Sequence, residues 1–137
     1  MIEITGKILN YNTCDSQGDV VTPETTIDFI DDRVPLLLDW GDPIGVADLV
    51  RKEDGIWATI TIDDPQNIEA MGKLKPCIGG KILKKTPVTL YSKSTSDGLK
   101  TELKMLEQIV IDTVSLSLEN CDRTIKNLEE MQNDTGT

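Results

Sequence analysis

Apolar and polar residues alternate along much of this chain, and the alternation has a period of two. Ile2, Ile4 and Ile8 are interleaved with Glu3, Thr5 and Lys7, which predicts a half-buried strand. A polar loop follows over residues 10–18. At Thr22-Pro23-Glu24 a capping hydroxyl precedes a proline, the pattern of a helix start, so a short helix is expected with Ile27, Phe29 and Ile30 inward and its end near Asp32. Val34-Pro35-Leu36-Leu37-Leu38 is an apolar run of strand length, and residues 44–50 predict another strand. Glu53-Asp54-Gly55 is a turn signal. Beyond it Ile56, Ala58, Ile60 and Ile62 alternate with Trp57, Thr59 and Thr61, completing a hairpin.

Asp64-Pro65 predicts a further helix capped by Asp64, with Ile68, Met71 and Leu74 on one side. Gly79-Gly80 reads as a break. Strands are expected at 87–95 and 99–105 around the turn Ser96-Asp97-Gly98. Residues 108–118, rich in Ile, Val and Thr, are the most strand-like of all. A helical pattern over 122–131 places Ile125 and Leu128 on one face, and 133–137 is a polar tail. The expectation is one domain over 1–132. Its class is α+β but β-dominated: a single antiparallel β-barrel or sandwich with two or three short helices.

Composition narrows the function classes. Hydrophobic residues are 38% of the 137 but aromatics only 4%, so the core is aliphatic. Fourteen basic residues stand against 24 acidic ones, a formal net charge of -10. Such a surface is repelled by nucleic acid and by anionic membranes, and no apolar run is long enough to span a bilayer. Cys14, Cys77 and Cys121 form no CxxC pair and read as free thiols in a reducing compartment. The first residues show no charged-then-apolar leader.

Asp15 to Pro23, Val34 to Gly45 and Ile111 to Leu116 form three motifs that, in this order, resemble the prohead protease family of tailed phages. Asp15-Ser16-Gln17-Gly18-Asp19-Val20-Val21-Thr22-Pro23 is similar to the family's D-x-x-G-D-[IV]-[IV]-x-P loop, after a first strand carrying a glycine, here Gly6. Val34-Pro35-Leu36-Leu37-Leu38-Asp39-Trp40, then Pro43-Ile44-Gly45, is similar to [IV]-P-L-L-x-x-H, then P-I-G. Ile111-Asp112-Thr113-Val114-Ser115-Leu116 is similar to L-x-E-V-S-L. The resemblance covers roughly residues 1–120 and implies an assemblin-like, mostly antiparallel barrel wrapped by helices.

The departures point away from catalysis. The family's histidine falls on Trp40, and the chain has no histidine at all. Counting back from Ser115, the family's serine falls on Thr89; a looser match, Pro76-Cys77-Ile78-Gly79, offers Cys77 instead. A hydroxyl or thiol at its ordinary pKa needs a neighbouring base. Lys81, Lys84 and Lys85 lie between the two candidates, and nothing in their spacing selects one. The loop at 15–19 lacks the spacing of an EF-hand, with its glycine fourth and Thr26 twelfth, so no metal and no cofactor is expected. Asp39-Trp40-Gly41-Asp42 reads as a loop whose tryptophan can anchor an interface, with Asp39 and Asp42 on its rim. Trp57 is a second candidate anchor, and Lys73, Lys75, Lys81, Lys84 and Lys85 form the one basic cluster.

The reading is a non-catalytic, capsid-associated phage protein, a head decoration or assembly component. It is made in the host cytoplasm and carried on the virion, with the outer surface favoured. Its expected partners are the major capsid protein or other head proteins, in a homo- or hetero-oligomeric assembly without nucleic acid or membrane. The alternatives are a maturation protease with an altered Thr89 or Cys77 site, and a prophage-encoded binding module.

Overall fold

Alternation of β-branched residues with polar ones makes strands wherever one face can be buried, and here it does so almost throughout. The computed structural model describes residues 1–63, 71–91, 100–118, 121–122 and 124–135. Seven strands follow in chain order: β1 (Ile2–Asn10), β2 (Asp19–Phe29), β3 (Arg33–Leu38), β4 (Pro43–Lys52), β5 (Gly55–Ile62), β6 (Lys75–Tyr91) and β7 (Lys100–Ser117). The one α-helix among the described residues is α1 (Leu128–Thr135). The expected helix opened by Asp64-Pro65, and the turn at 96–98, lie outside the described residues.

The strands form a single sheet in the order β1-β5-β4-β3-β7-β2, with β6 paired to β7. The first four run antiparallel. β7 is the spine of the rest. Along one edge it pairs with β6 over its whole length, Lys75 opposite Ser117 and Tyr91 opposite Lys100. Along the other it pairs in parallel with β2 (Asp19 with Lys104 to Phe29 with Ile111) and then with β3 (Leu36 with Val114 to Leu38 with Leu116). The fold is β-dominated as expected, but its sheet is mixed and not closed, where a single antiparallel barrel or sandwich was expected.

The core is aliphatic, as the composition requires. Ile4, Leu36, Ile56, Ile60, Ile62, Ile111, Val114 and Leu116 are buried along one side of the sheet. α1 covers the side of β1: Leu128 and Met131 are buried, and Met131 rests on Gly6, where a Cβ would lie 2.6 Å from its Cε. Hydrogen bonds from Leu128 N to Leu74 O and from Glu129 N to Gly72 O dock the helix start. Asn127 and Glu130 cap it reciprocally, Glu130 N donating to Asn127 Oδ1 and Asn127 N to Glu130 Oε1.

Several expectations need correction. The stretch expected to open a helix at Thr22 is strand as far as Phe29, and no helix follows before Asp32. Pro23 sits where β2 swings away from β7, between the pairs Val21–Leu106 and Thr26–Gln108, an irregularity that tolerates a residue without an N–H. Arg51 holds this excursion: it donates to the carbonyls of Thr25 (2.7 Å) and Pro23 (2.9 Å) and to Tyr11 Oη (2.6 Å). Gly79-Gly80 does not break β6 but carries one of its three register shifts, and what was read as two strands is one continuous β7. The C-terminal helix begins only at Leu128, because Asp122 accepts from Thr124 N and Oγ1 and holds a turn there. It runs to Thr135, into the segment read as tail.

Candidate functional site

The β3–β4 connection is a tight turn. Gly41 N donates to Leu38 O (2.9 Å), and the two central residues, Asp39 and Trp40, have φ of 49° and 62°. Two positive φ values with that bond define a type I′ turn, which favours Asn-Gly and tolerates a bulky residue poorly. The strain is held by β7 on one side. Asp39 N donates to Leu116 O (2.8 Å), and Trp40 N donates to the Oγ of Ser115 (2.7 Å), a fully buried side chain.

The Trp40 ring lies over Gly79 of β6. A Cβ on Gly79 would be 2.8 Å from the ring and 2.4 Å from Thr113 Cγ2, so only glycine permits this approach. Thr113 in turn donates to Pro35 O (3.2 Å). Trp40 as a whole nevertheless remains 43% exposed, seated on the sheet but open to solvent. Strain of this kind concentrates where a side chain is displayed for use. Asp42 gives its backbone carbonyl to Leu38 N (2.9 Å), and Ser117 Oγ donates to Asp39 Oδ1 at 3.5 Å.

The structure thus brings together the second and third motifs, through Trp40, Thr113 and Ser115. It does not bring Thr89 to them. Thr89 pairs with Glu102, exposed, ten positions beyond Gly79 on β6, roughly 30 Å at ordinary strand rise. Cys77 does stand opposite Ser115, but it is buried and joined to Cys121 in a disulfide, Cα–Cα 5.8 Å. That corrects the reading of three free thiols. The fold closes a separation of 44 residues that spacing alone hid, and only exposed Cys14 is free. Lys81, Lys84 and Lys85 are exposed on β6.

The first motif is an acidic loop knotted on itself. Asp15 Oδ1 accepts from Gln17 N (2.8 Å) and Asp19 N (2.9 Å), while Gly18 takes φ 83°. Burial, with the neighbouring Asp19 charge adding to it, pushes the Asp15 carboxyl above its usual range against the pull of these two N–H groups and Lys104. Asp19 is 5% exposed and faces Lys104 Nζ at 3.4 Å, joining the loop to β7. No group of three potential metal ligands gathers among the described residues.

Trp57 lies elsewhere, its indole N–H donating to Asp54 Oδ1 (2.9 Å) and Lys52 Nζ 4.3 Å above its ring. Lys7, then this N–H, hold the Asp54 carboxylate below its usual range. The signals sequence reasoning missed were Gly79, read as a break instead of a seat for a ring, and Ser115, whose burial only the β3–β7 pairing reveals.

Compared with known protein families, with curated proteins and with solved structures, the chain gives no match.

Proposed function

We propose that this chain is a non-catalytic structural protein of a phage head, a decoration or assembly component on a scaffold resembling the prohead proteases. The observation that carries the reading is the state of the would-be site. Where that family's pattern has histidine, this chain has Trp40, whose ring occupies the sheet surface over Gly79 and whose N–H occupies the Ser115 hydroxyl. The chain has no histidine to serve as base. Cys77 is bonded to Cys121, and Thr89 stands far along β6.

A half-exposed tryptophan held in a strained turn suits an interface anchor, with Asp39 and Asp42 on the rim to meet basic groups of the major capsid protein or another head protein. The ring would supply most of the affinity, and the aspartates register and encounter rate. A net charge of -10 favours the outer capsid surface over an interior facing packaged DNA.

Abundant full-length chain in purified mature virions, measured by mass spectrometry, is the expected outcome. Truncation of such an anchor typically costs about 2 kcal/mol or more, over tenfold in occupancy per contact. Trp40→Ala should therefore lower capsid occupancy while the free protein still melts near the wild-type temperature. Occupancy that merely follows loss of folded protein would overturn the anchor. Trimming of the capsid protein on co-expression, abolished by Thr89→Ala or Cys77→Ala, would overturn the non-catalytic reading.

A further inference from the structure

Charge is segregated along this sequence. Between Met71 and Ser96 there are six lysines and no acidic residue, while the rest holds all 24 acidic residues and the other eight basic ones. The fold lays part of this segregation out as stripes on one surface. β7 separates β2 from β6, and Val110 of β7 is in register with Asp28 on β2 and with Lys81 on β6. One step along, Gln108 is in register with Thr26 and Lys84. In-register neighbours point to the same side of a sheet. Ile109 and Ile111 of β7 are buried in the core, so Val110 and Gln108 face outward, and Asp28, Thr26, Lys81 and Lys84 are all exposed.

This outer face therefore carries Asp28 on the β2 side of β7 and Lys81 and Lys84 on the β6 side. At its margins stand apolar side chains: Ile30 at 68% exposure just beyond β2, and Leu83 at 54% in the register shift of β6. Trp40, over Gly79, closes the end of the same face. Lys84 has one weak partner, Glu107 at 3.8 Å, whereas Asp28 and Lys81 have no ion pair among the described residues.

We propose that this face is a two-fold interface with a second copy of the chain. An axis lying along β7 stacks two such sheets face to face, and it sets β2 of one copy over β6 of the other. Asp28 then meets the partner's Lys81, and Lys81 the partner's Asp28, the reciprocal pattern an isologous contact requires. Strand addition at the edge of β6 is blocked by its lysines, Pro87 and three register shifts, so contact is through side chains. The dimer is a property of the isolated chain, so its failure would leave the capsid reading standing.

The test uses two charge reversals at exposed positions, Asp28→Lys and Lys81→Glu, on the full chain. Light scattering should give a reversible wild-type dimer that weakens with salt. Each variant alone should dimerise roughly tenfold or more weakly, with unchanged melting temperature. Mixed one to one, the variants restore both contacts, so native mass spectrometry should show a heterodimer. Three results would overturn the proposal: a wild-type monomer at high concentration, a dimer indifferent to both reversals, or a mixture that stays monomeric. A wild-type monomer that instead binds duplex DNA through Lys81 and Lys84 would assign the basic stripe to another occupant.

Discussion

Breaking the Cys77–Cys121 bridge is the sharpest test of how the molecule is held. The bond ties the buried start of β6 to the segment that leads into α1. Opening it frees a loop of 44 residues in the unfolded chain, and chain entropy then puts the loss near 4 kcal/mol. Total stability of a domain is about 5–15 kcal/mol, so the reduced protein should remain folded with a much thinner margin. At about 3–5 °C per kcal/mol for this size, the midpoint should fall by roughly 12–20 °C. The measurement is a far-UV melt with and without a phosphine reductant, in a Cys14→Ser background. That background matters because Cys14 and Cys121 line one surface groove and could exchange. Cys121→Ser should melt like the reduced parent and ignore reductant. If the parent also ignores reductant, and alkylation of unreduced, denatured protein labels every cysteine, the bridge does not form and the argument fails.

Arg51→Met should destabilise the domain by about 2–3 kcal/mol in chemical denaturation, since it strips charge-assisted bonds from the Thr25 and Pro23 carbonyls together; a loss under 0.5 kcal/mol would deny the clamp. Gly79→Val should push the Trp40 ring off β6, costing about 1–3 kcal/mol and red-shifting emission in a Trp57→Phe background; unchanged emission would mean the ring does not rest there.

What the sequence disclosed was local. The β4–β5 hairpin was legible because Glu53-Asp54-Gly55 marks its turn and both arms alternate, and Gly55 indeed takes a positive φ with Leu9 O only 1.9 Å from a would-be Cβ. β3 was legible as a short apolar run. β2 was misread because Thr22-Pro23 serves equally as a helix start or as a strand irregularity. The choice is made by Thr25 Oγ1 reaching Leu106 O and by Arg51, both distant in sequence. The site suffered in the same way. Its second and third motifs were visible, but Gly79, the disulfide and the remoteness of Thr89 all depend on the register of β6 against β7, which three shifts conceal.

The parallel pairing of β7 also sets an order of events in time. β3, β4 and β5 join neighbours close in sequence through two tight connections, so they can assemble early, and β1 adds to β5 from the far side of β2, β3 and β4 in the chain. β2 must wait, because its partner on β7 arrives only with Lys104 and beyond. Parallel, distant pairings are intrinsically slow, which leaves the Ile- and Val-rich middle of β7 uncovered meanwhile and open to association with other chains. The lysines of β6, hydrogen-bonded beside it from Lys75 to Tyr91, then act as an escort for a sticky strand awaiting its place. Pulse-labelled hydrogen exchange should protect β4 and β5 first and β2 last, and simultaneous protection of all three would rule this sequence out.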